Sequence, residues 1–391
     1  MLILTSVRRT APIAATLTVT AGLLLAACGG SSTPPANLIS VSNGGCGGSW
    51  HVAKPGSYTF QIYNAAAEEG DVDLVNPASG AIYAEVEMLG PGTTSPLRLD
   101  MGSGQYAFRC SFEDFDPFNG PTETVGGHTG GNPGIVPVTQ DDLLQPAKEY
   151  TAYVSNGLVT LAAEAGALLG DVRAGNLTQA KAAWLTAHLQ YERLGAAYDA
   201  FGDFDDEIDG RPDGLAGGVN SAQWTGFYRL EYGLWHGQSE HTLTTVATAL
   251  DKDVLALRKA WPNGPGMQIQ LLDIGLRTHE IMENALEFQL SDHDDYGSGS
   301  TLATTVANIA GDEELLSILH PVLAPRYAQL PAVDTWLSHL QTLLYKYGYQ
   351  NGQWSSVASL TAAAREQLDS ACDQAVEELA PIATITEPRG V

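Results

Sequence analysis

The sequence predicts a small all-β sandwich followed by a large all-α helical bundle. Three observations indicate this fold class. Between residues 37 and 118, apolar and polar residues alternate in short segments that Gly and Pro separate, which is typical of strands. Beyond residue 138, apolar residues recur at helical spacing over long segments. A stretch rich in Gly, Pro and Thr, residues 119–137, separates the two patterns and is predicted to be a linker between the β domain and a helical domain at 138–391.

Residues 1–27 are typical of a lipoprotein signal peptide. Arg8 and Arg9 precede an apolar run that ends in Leu25-Ala26-Ala27-Cys28, a lipoprotein cleavage box. The run is too short for a retained membrane-spanning helix. We therefore expect the mature chain to begin at a lipid-modified Cys28, to continue through a tether at residues 28–36, and to be anchored outside the cytoplasm, in the periplasm or at the cell surface, by its lipid alone.

Four strands are expected in the β domain, which is predicted to span residues 37–118. They are Leu38–Val41, Tyr58–Tyr63, Ile82–Val86 and Tyr106–Cys110. Cys46 and Cys110 lie near opposite ends of this domain, and we expect them to form a disulfide because an oxidising compartment permits that bond. Cys372 remains unpaired and is expected to be a buried thiol.

A blue-copper site is not expected in the β domain. Such a site needs two histidines and a cysteine, whereas only His51 is available near Cys110, and a disulfide would remove that thiolate. Glu113, Asp114 and Asp116 form a weaker candidate for a secondary cation site. A solvated acidic loop is the alternative interpretation of these three residues.

The first candidate ligands lie on a helix predicted over residues 177–200. An apolar stripe with heptad spacing indicates the buried face of this helix. Beside that stripe, His188 and Glu192 lie four residues apart and project along one line, which suits a shared cation. An ordinary intrahelical pair is the alternative. The acidic loop that follows includes Asp209, and we expect only one or two of its acids to be ligands while the rest are solvated.

Glu231 lies on the apolar face of the next predicted helix, together with Tyr228. A buried carboxylate must be hydrogen-bonded, paired or metal-bound, because burying it alone costs several kcal/mol or forces it to protonate. A third helix is predicted from about residue 268 to 290, with His279 and Glu283 on its apolar line and Glu280 on its solvated side. Oxygen and imidazole ligands favour iron, manganese or zinc over copper(I).

The chain is strongly acidic, with a formal net charge of −26 at pH 7. Such a charge repels the phosphates of nucleic acids and attracts cations. Nucleic acid is therefore not expected as a partner. The charge also has a simpler explanation, because many secreted proteins are acidic for solubility.

Several segments together resemble the imelysin-like EfeO proteins of bacterial iron uptake. They are Tyr191-Glu192-Arg193-Leu194, Phe201-Gly202-Asp203, Ile208-Asp209-Gly210-Arg211, Trp224-Thr225-Gly226-Phe227, His279-Glu280-Ile281-Met282-Glu283-Asn284-Ala285-Leu286 and Asp295-Tyr296-Gly297-Ser298-Gly299. The resemblance covers most of the chain after residue 140. It implies an imelysin-like bundle of two four-helix halves with a metal site between them, and a cupredoxin-like β domain in front.

By the same resemblance, four acids are implied as metal ligands. They are Glu192, Asp209, Glu231 and Glu283. The family signature is a His-x-x-Glu pair, and this chain has Tyr228-Arg229-Leu230-Glu231 in its place. Tyr228 is thus a conditional ligand, since phenolate binds ferric iron but an ordinary phenol is a poor ligand, and core packing is its alternative role. His188 and His279 are candidates from spacing alone.

The resemblance implies an extracytoplasmic lipoprotein that captures ferric or ferrous iron and delivers it to a membrane permease. It also implies a secreted haem peroxidase as a second partner. Zinc or another divalent cation is the alternative cargo. A metallopeptidase is one alternative function, although His279-Glu280-x-x-Glu283 lacks the second imidazole of a zinc-peptidase helix, and we expect no enzyme activity. Binding of an acidic polysaccharide through bridging cations is another.

Overall fold

A computed structural model describes residues 37–48, 50–113, 115–128 and 130–388. The predicted signal peptide, the tether with Cys28, and Asp114 of the candidate secondary cation site lie outside these residues. Within them, a β-sandwich precedes a helical domain, as the sequence predicts.

Nine strands form the described part of the β domain. They are β1 (Leu38–Ser42), β2 (Gly45–Cys46), β3 (Gly56–Asn64), β4 (Gly70–Val75), β5 (Ile82–Leu89), β6 (Thr94–Met101), β7 (Gly104–Phe112), β8 (Phe118–Asn119) and β9 (Glu123–Val125). One sheet has the order β2-β1-β3-β6, and the other has the order β5-β4-β7-β8 with β9 also paired to β7. The pairing of β1 with β3 is parallel. Alternating residues of both sheets, such as Phe60, Ile62, Leu74 and Phe108, fill the space between them.

A disulfide between Cys46 and Cys110 connects β2 of one sheet to β7 of the other. The bond leaves Cys110 without a thiolate, so no blue-copper site is formed by the described residues. His51 instead pairs with Glu123. Glu113 and Asp116 are exposed, and within the described part of the chain they belong to no group of three metal-binding side chains.

The predicted linker begins too early in the chain. The last residue of β8 and all of β9 lie within residues 119–137, both strands pair with β7, and Ile135 forms a bridge with Ile82. The backbone groups of these short segments form hydrogen bonds with β5 and β7. These bonds stabilise an extended conformation although the segments contain few residues that favour strands. The β domain therefore extends at least to Val125. At the end of the connection, the Arg326 guanidinium donates to the carbonyl oxygens of Val136 and Pro137 and fixes the chain to the helical domain.

Ten α-helices form the described helical domain. They are α1 (Gln140–Arg173), α2 (Leu177–Glu192), α3 (Tyr198–Phe201), α4 (Asp203–Asp209), α5 (Gly226–Trp235), α6 (Glu240–Ala260), α7 (Leu276–Asn284), α8 (Thr301–Leu323), α9 (Leu330–Gly348) and α10 (Ala362–Thr386). α1, α2, α5 and α6 pack as one group, and α7 to α10 pack as a second. The two predicted four-helix halves are therefore confirmed. α8 contacts α1 and α2, and so joins the two groups.

α1 begins at a capping box, in which the Thr139 hydroxyl accepts from the backbone N–H of Asp142 and the Asp142 carboxylate accepts from that of Thr139. By length and composition alone, α1 is the one helix among the described residues able to cross a membrane. Its apolar residues, including Leu158 and Leu161, instead lie in the core of the bundle. The helix is therefore a core element of this fold.

The third predicted helix differs from the structure in start and in phase. Residues before Leu276 form turns rather than helix, and a π-helical turn follows α7 at Ala285–Gln289. A π-turn holds one residue more than an α-turn and shifts every later residue around the axis. The buried residues of α7 itself are Thr278, Ile281 and Met282, rather than the predicted His279 and Glu283.

Candidate metal centre

Three side chains from α2 and α4 meet inside the first helix group. His188 and Glu192 lie one turn apart at the end of α2, and Asp209 is the last residue of α4. Gly202 has a φ of 58°, which permits the sharp turn from α3 into α4. His188 Nε2 lies 2.9 Å from Glu192 Oε1 and 3.3 Å from Asp209 Oδ1. The three ligand atoms of this buried trio are themselves buried, although the Asp209 side chain as a whole is 14% exposed, and they all lie within 4.8 Å of one another.

The polar atoms of the buried trio converge without satisfying one another. The Glu192 side chain is 3% exposed and His188 is equally inaccessible. Among the described residues, His188 Nε2, Glu192 Oε1 and Asp209 Oδ1 have no hydrogen-bond partner. Buried polar atoms are normally paired. Two carboxylate oxygens and an imidazole that face a common point are the donor set of a hard or borderline cation.

The electrostatics of the buried trio reflect an excess of negative charge. Burial lowers the pKa of His188, but the charges of Glu192 and Asp209 outweigh it and raise that pKa to about 10. Burial, followed by repulsion from Glu192, raises the pKa of Asp209 well above its usual range. One imidazolium is thus shared by two acids, and a cation placed between them would relieve the repulsion.

Aromatic rings hold the imidazole in place. The Trp184 ring stacks on His188 at 4.9 Å, and the rings of Phe227 and Tyr228 lie 5.3 and 5.2 Å away. The Trp184 indole N–H donates to the Phe227 carbonyl at 2.9 Å, which fixes α2 against α5. From α8, the amide of Asn308 contacts Glu192, and its nitrogen donates to Glu192 Oε2 at 2.8 Å in the orientation that satisfies both groups.

Glu231 is buried next to this centre but lies outside the trio. Its side chain is fully inaccessible, and its Oε1 accepts from the backbone N–H groups of Tyr296 and Ser298 at 3.2 and 2.8 Å. Its Oε2 has no hydrogen-bond partner. Burial raises the pKa of Glu231 to about 7. The loop before α8 therefore satisfies half of this carboxylate and leaves the other oxygen available.

Tyr228 is held by a second buried acid, Asp294. The Tyr228 hydroxyl donates to Asp294 Oδ2 at 3.3 Å, and Gln289 and Arg211 donate to the same oxygen at 3.0 and 3.4 Å. Burial, followed by the charge of Asp209, raises the pKa of Tyr228 well above its usual range. The phenol is therefore neutral, and in this arrangement it is a hydrogen-bond donor.

His279 and Glu283 are not brought together with the buried trio in the described part of the chain. His279 Nε2 lies 3.3 Å from Glu283 Oε1, and the Glu283 side chain is 55% exposed. The other ring nitrogen of His279 contacts the Val376 carbonyl on α10 at 3.1 Å. Glu280 pairs with Arg277 at 2.5 Å.

A cavity of about 170 Å³ leads from the surface to the buried trio. Acids and amides make up much of its wall. They are Glu192, Asp205, Asp206, Asp209, Asn284, Gln289 and Asn308. Arg211 is the one basic side chain among the described residues that line it. Burial raises the pKa of Asp205 to about 6, and this carboxylate accepts from the Tyr191 hydroxyl at 2.6 Å. The route is therefore suited to a small hydrated cation.

The family model for imelysin, in the peptidase M75 class, matches residues 146–387. The chain belongs to the imelysin family. It is similar to the protein described as iron uptake system component EfeO in Yersinia pseudotuberculosis serotype I, at 24% identity over 376 residues that cover 96% of each chain. The protein so described in Yersinia pestis is 24% identical over 84% of this chain and 85% of its own. The one in Escherichia coli K12 is 25% identical over 77% and 78%.

These similarities support a role of this imelysin-family protein in iron uptake. The family name includes the word peptidase, whereas the relatives are described as iron uptake components. The N-terminal β domain is consistent with a cupredoxin-like fold in front of the imelysin domain.

Sequence reasoning missed three residues of the centre. Asp294 lies just before the segment Asp295-Tyr296-Gly297-Ser298-Gly299, which was noted only for its resemblance. Asn308 lies on α8 and is buried. The one indication in the sequence was an amide residue on a helix in which apolar residues dominate. Arg211 was considered only as part of the segment Ile208-Asp209-Gly210-Arg211, for its resemblance. Each contacts the site from a different element, which spacing within one helix cannot reveal.

Proposed function

We propose that this protein captures iron outside the cytoplasm and delivers it to a permease in the membrane. The observation that carries the proposal is the buried trio, in which three unsatisfied donor atoms face one point at the end of an acidic cavity. The similarity to EfeO proteins favours iron as the cargo among the cations that such donors bind.

His188, Glu192 and Asp209 are the proposed ligands, and Glu231 Oε2 is the proposed additional oxygen. In this proposal His188 supplies, from α2, the imidazole that the family signature would place at position 228. The contact of the His188 ring with the Tyr228 ring supports this substitution. Tyr228 then acts through Asp294 and does not ligate, because its hydroxyl is neutral and already donates to that carboxylate.

Iron leaves such a site more readily than it leaves a closed cage. Three side chains, or four with Glu231, do not fill an octahedral shell if each supplies one atom, so water completes the coordination and an exchange path for the acceptor remains through the cavity. The same side chains would also bind zinc or manganese. The preference for iron would then depend on the relative affinities for these ions and on the concentration of each ion.

The remaining features of the proposal rest on the sequence and on the resemblance. A lipid on Cys28 would hold the protein at the membrane, beside the permease that receives the iron. A secreted haem peroxidase of the same system is the second proposed partner. The high negative charge supports cation capture over binding of nucleic acid.

The position of Glu280 supports a binding function over peptidase activity. The carboxylate of Glu280 is paired with Arg277 on the outer side of α7, so it is not placed to serve as a base. Its neighbours His279 and Glu283 do not face the buried trio. A zinc-peptidase helix requires two ligands one turn apart with a base that faces the same metal.

Calorimetric titration of the purified protein with ferric, ferrous and zinc ions tests the proposal. We expect one tight iron site, and Asp209→Asn should weaken it by on the order of 100-fold, since metal ligands contribute at least as much as the outer-shell groups that support them. Absence of binding by the unmodified protein, or unchanged binding by Asp209→Asn, would refute it. Hydrolysis of casein that a chelator abolishes would support the peptidase instead.

A further inference from the structure

Asp294 is a buried acid, and the described residues donate hydrogen bonds to only one of its two carboxylate oxygens. Its side chain is 1% exposed. Its Oδ2 accepts from Tyr228, Gln289 and Arg211, while its Oδ1 is buried without a hydrogen-bond partner. Tyr228 and Gln289 are neutral donors, so Arg211 is the one cation that contacts this carboxylate among the described residues.

Arg211 reaches Asp294 from the wall of the cavity. Its side chain is 35% exposed, and Nη1 lies 3.4 Å from Asp294 Oδ2. The guanidinium carbon lies 3.6 Å above the centre of the Phe288 ring, which supports it from the other side. Gly210 and Arg211 directly follow Asp209, so the same turn of the chain carries a member of the buried trio and this arginine.

Asp294 and the buried trio are separated by one side chain. The Tyr228 ring contacts the His188 ring edge-on at 5.2 Å, and the Tyr228 hydroxyl donates to Asp294. Burial raises the pKa of Asp294, the charge of Arg211 lowers it, and that of Glu192 raises it. The Tyr228 side chain therefore connects the trio to the Asp294 carboxylate.

We propose that Arg211 is a resident counter-cation that competes with bound metal for Asp294 and thereby sets the rate at which the metal is released. The inference rests on the proposed function and deepens it. In the metal-free protein, Arg211 neutralises the carboxylate. When metal occupies the trio, both the metal ion and the Arg211 guanidinium attract the Asp294 carboxylate. The ion pair with Arg211 then weakens the attraction between this carboxylate and the metal. Without the arginine, the buried carboxylate has the metal as its remaining cationic partner.

A merely structural arginine would behave differently. If Arg211 only held the loop, its removal would loosen the site, and the metal would leave faster. If it competes for Asp294, its removal strengthens the attraction between Asp294 and the metal, and the metal leaves more slowly. The direction of the change in release rate thus separates the two roles.

The test is stopped-flow release of Fe²⁺, loaded anaerobically, and of Zn²⁺ in parallel, into excess chelator. Arg211→Met keeps the contact with Phe288 and Arg211→Gln keeps polarity, and both should release metal about tenfold more slowly than the unmodified protein. Arg211→Lys keeps the charge and should stay within about twofold. Arg277→Met, at a surface arginine that pairs with Asp199, Asp273 and Glu280, is the matched control and should change nothing.

Asp294→Asn supplies the decisive second comparison. If the competition is for this carboxylate, Arg211→Met should have no effect on release in the Asp294→Asn background. Faster or unchanged release by both arginine variants, or slow release that persists without the carboxylate, would overturn the inference. Failure of the unmodified protein to load either metal would instead refute the proposed function, so the two failures are distinguishable.

Discussion

Two histidine–glutamate pairs in this molecule have the same spacing along a helix but differ in burial and in their further contacts. His188 and Glu192 on α2 lie 2.9 Å apart with side chains 2 and 3% exposed. His279 and Glu283 on α7 also lie four residues apart, at 3.3 Å, but their side chains are 19 and 55% exposed. The first pair meets Asp209 from another helix, whereas the second meets a backbone carbonyl of α10.

The difference teaches that spacing along one helix is not sufficient to specify a metal site. Both pairs satisfy the four-residue rule for neighbours on a helix. Only the first is buried, gains a third donor from a separate element, and leaves polar atoms unsatisfied. Exposed pairs of this kind contribute little, because water solvates both partners.

The largest expected effect comes from the same substitution in each pair. Glu192→Gln removes a charge and a proposed ligand from the buried trio, and we expect it to weaken iron binding about 100-fold or more, which is about 2.7 kcal/mol. Glu283→Gln is the matched control and should change affinity less than about twofold. Calorimetry measures both.

Equal losses in the two glutamine variants would break the comparison between the pairs. Such a result would mean that α7 turns toward the centre when metal binds, against its orientation in the structure.

The next effect is the pH dependence of metal binding. Burial raises the pKa of Glu231 to about 7 and that of Asp209 well above its usual range, and the two acids keep a proton on His188 to a pH of about 10. Protons therefore compete with the metal, and affinity should fall as pH falls, by on the order of tenfold per pH unit for each proton displaced.

Titrations in buffers of different ionisation enthalpy measure the number of protons released. An affinity that stays constant between pH 5.5 and 7.5 would show that the site of His188 and Glu192 binds metal without releasing protons. Burial would then not explain why this pair and the His279–Glu283 pair differ in metal binding.

A smaller effect involves Asp312 on α8, a buried acid without a partner. Both of its carboxylate oxygens lack hydrogen bonds, and burial raises its pKa well above the usual range. Because the folded pKa lies above the unfolded one, Asp312 favours the folded state at low pH, and this contribution is lost as pH rises toward the folded pKa. The unfolding free energy should fall by about 1 kcal/mol per pH unit from this group.

Asp312→Asn should remove that slope from chemical denaturation curves measured without metal at pH 5, 6 and 7. Asp373→Asn, at an exposed acid on α10, is the control and should preserve the slope. An unchanged slope in Asp312→Asn would show that burial alone does not protonate an acid in this bundle.

The smallest effect is expected on the outer side of α7. Glu280→Gln removes one of the three acids around Arg277, and Asp199 and Asp273 remain as its partners. Stability should change by less than about 0.5 kcal/mol, and iron affinity should not change. A clear loss of iron binding in this variant would assign the α7 surface a role that its exposure contradicts.

Much of the fold could be predicted because its signals are local. The four predicted strands lie within β1, β3, β5 and β7, and helical periodicity identified the bundle. β4 was missed because Val72, Leu74 and Val75 are buried on both faces and do not alternate. The buried face of α7 was predicted wrongly because contacts with α8 and α10 bury Thr278, Ile281 and Met282 rather than His279 and Glu283.

The centre was harder to predict than the fold. Burial of Glu231 follows from the apolar residues around it, and His188 was found from spacing. Whether Asp209 or another acid of its loop reaches His188 depends on the turn at Gly202, which composition cannot determine. Asp294 and Asn308 contact the site from the second helix group, and such long-range proximity is not encoded in the spacing of a single sequence.

All three members of the buried trio come from one stretch of chain, between positions 188 and 209. Bringing together donors so close in sequence costs little loop-closure entropy. In the proposed function, α2 and α4 would therefore supply three cation ligands without a contribution from the second helix group. Asn308 on α8 and Asp294 in the loop before α8 lie beside these residues and would adjust the surroundings of the ion.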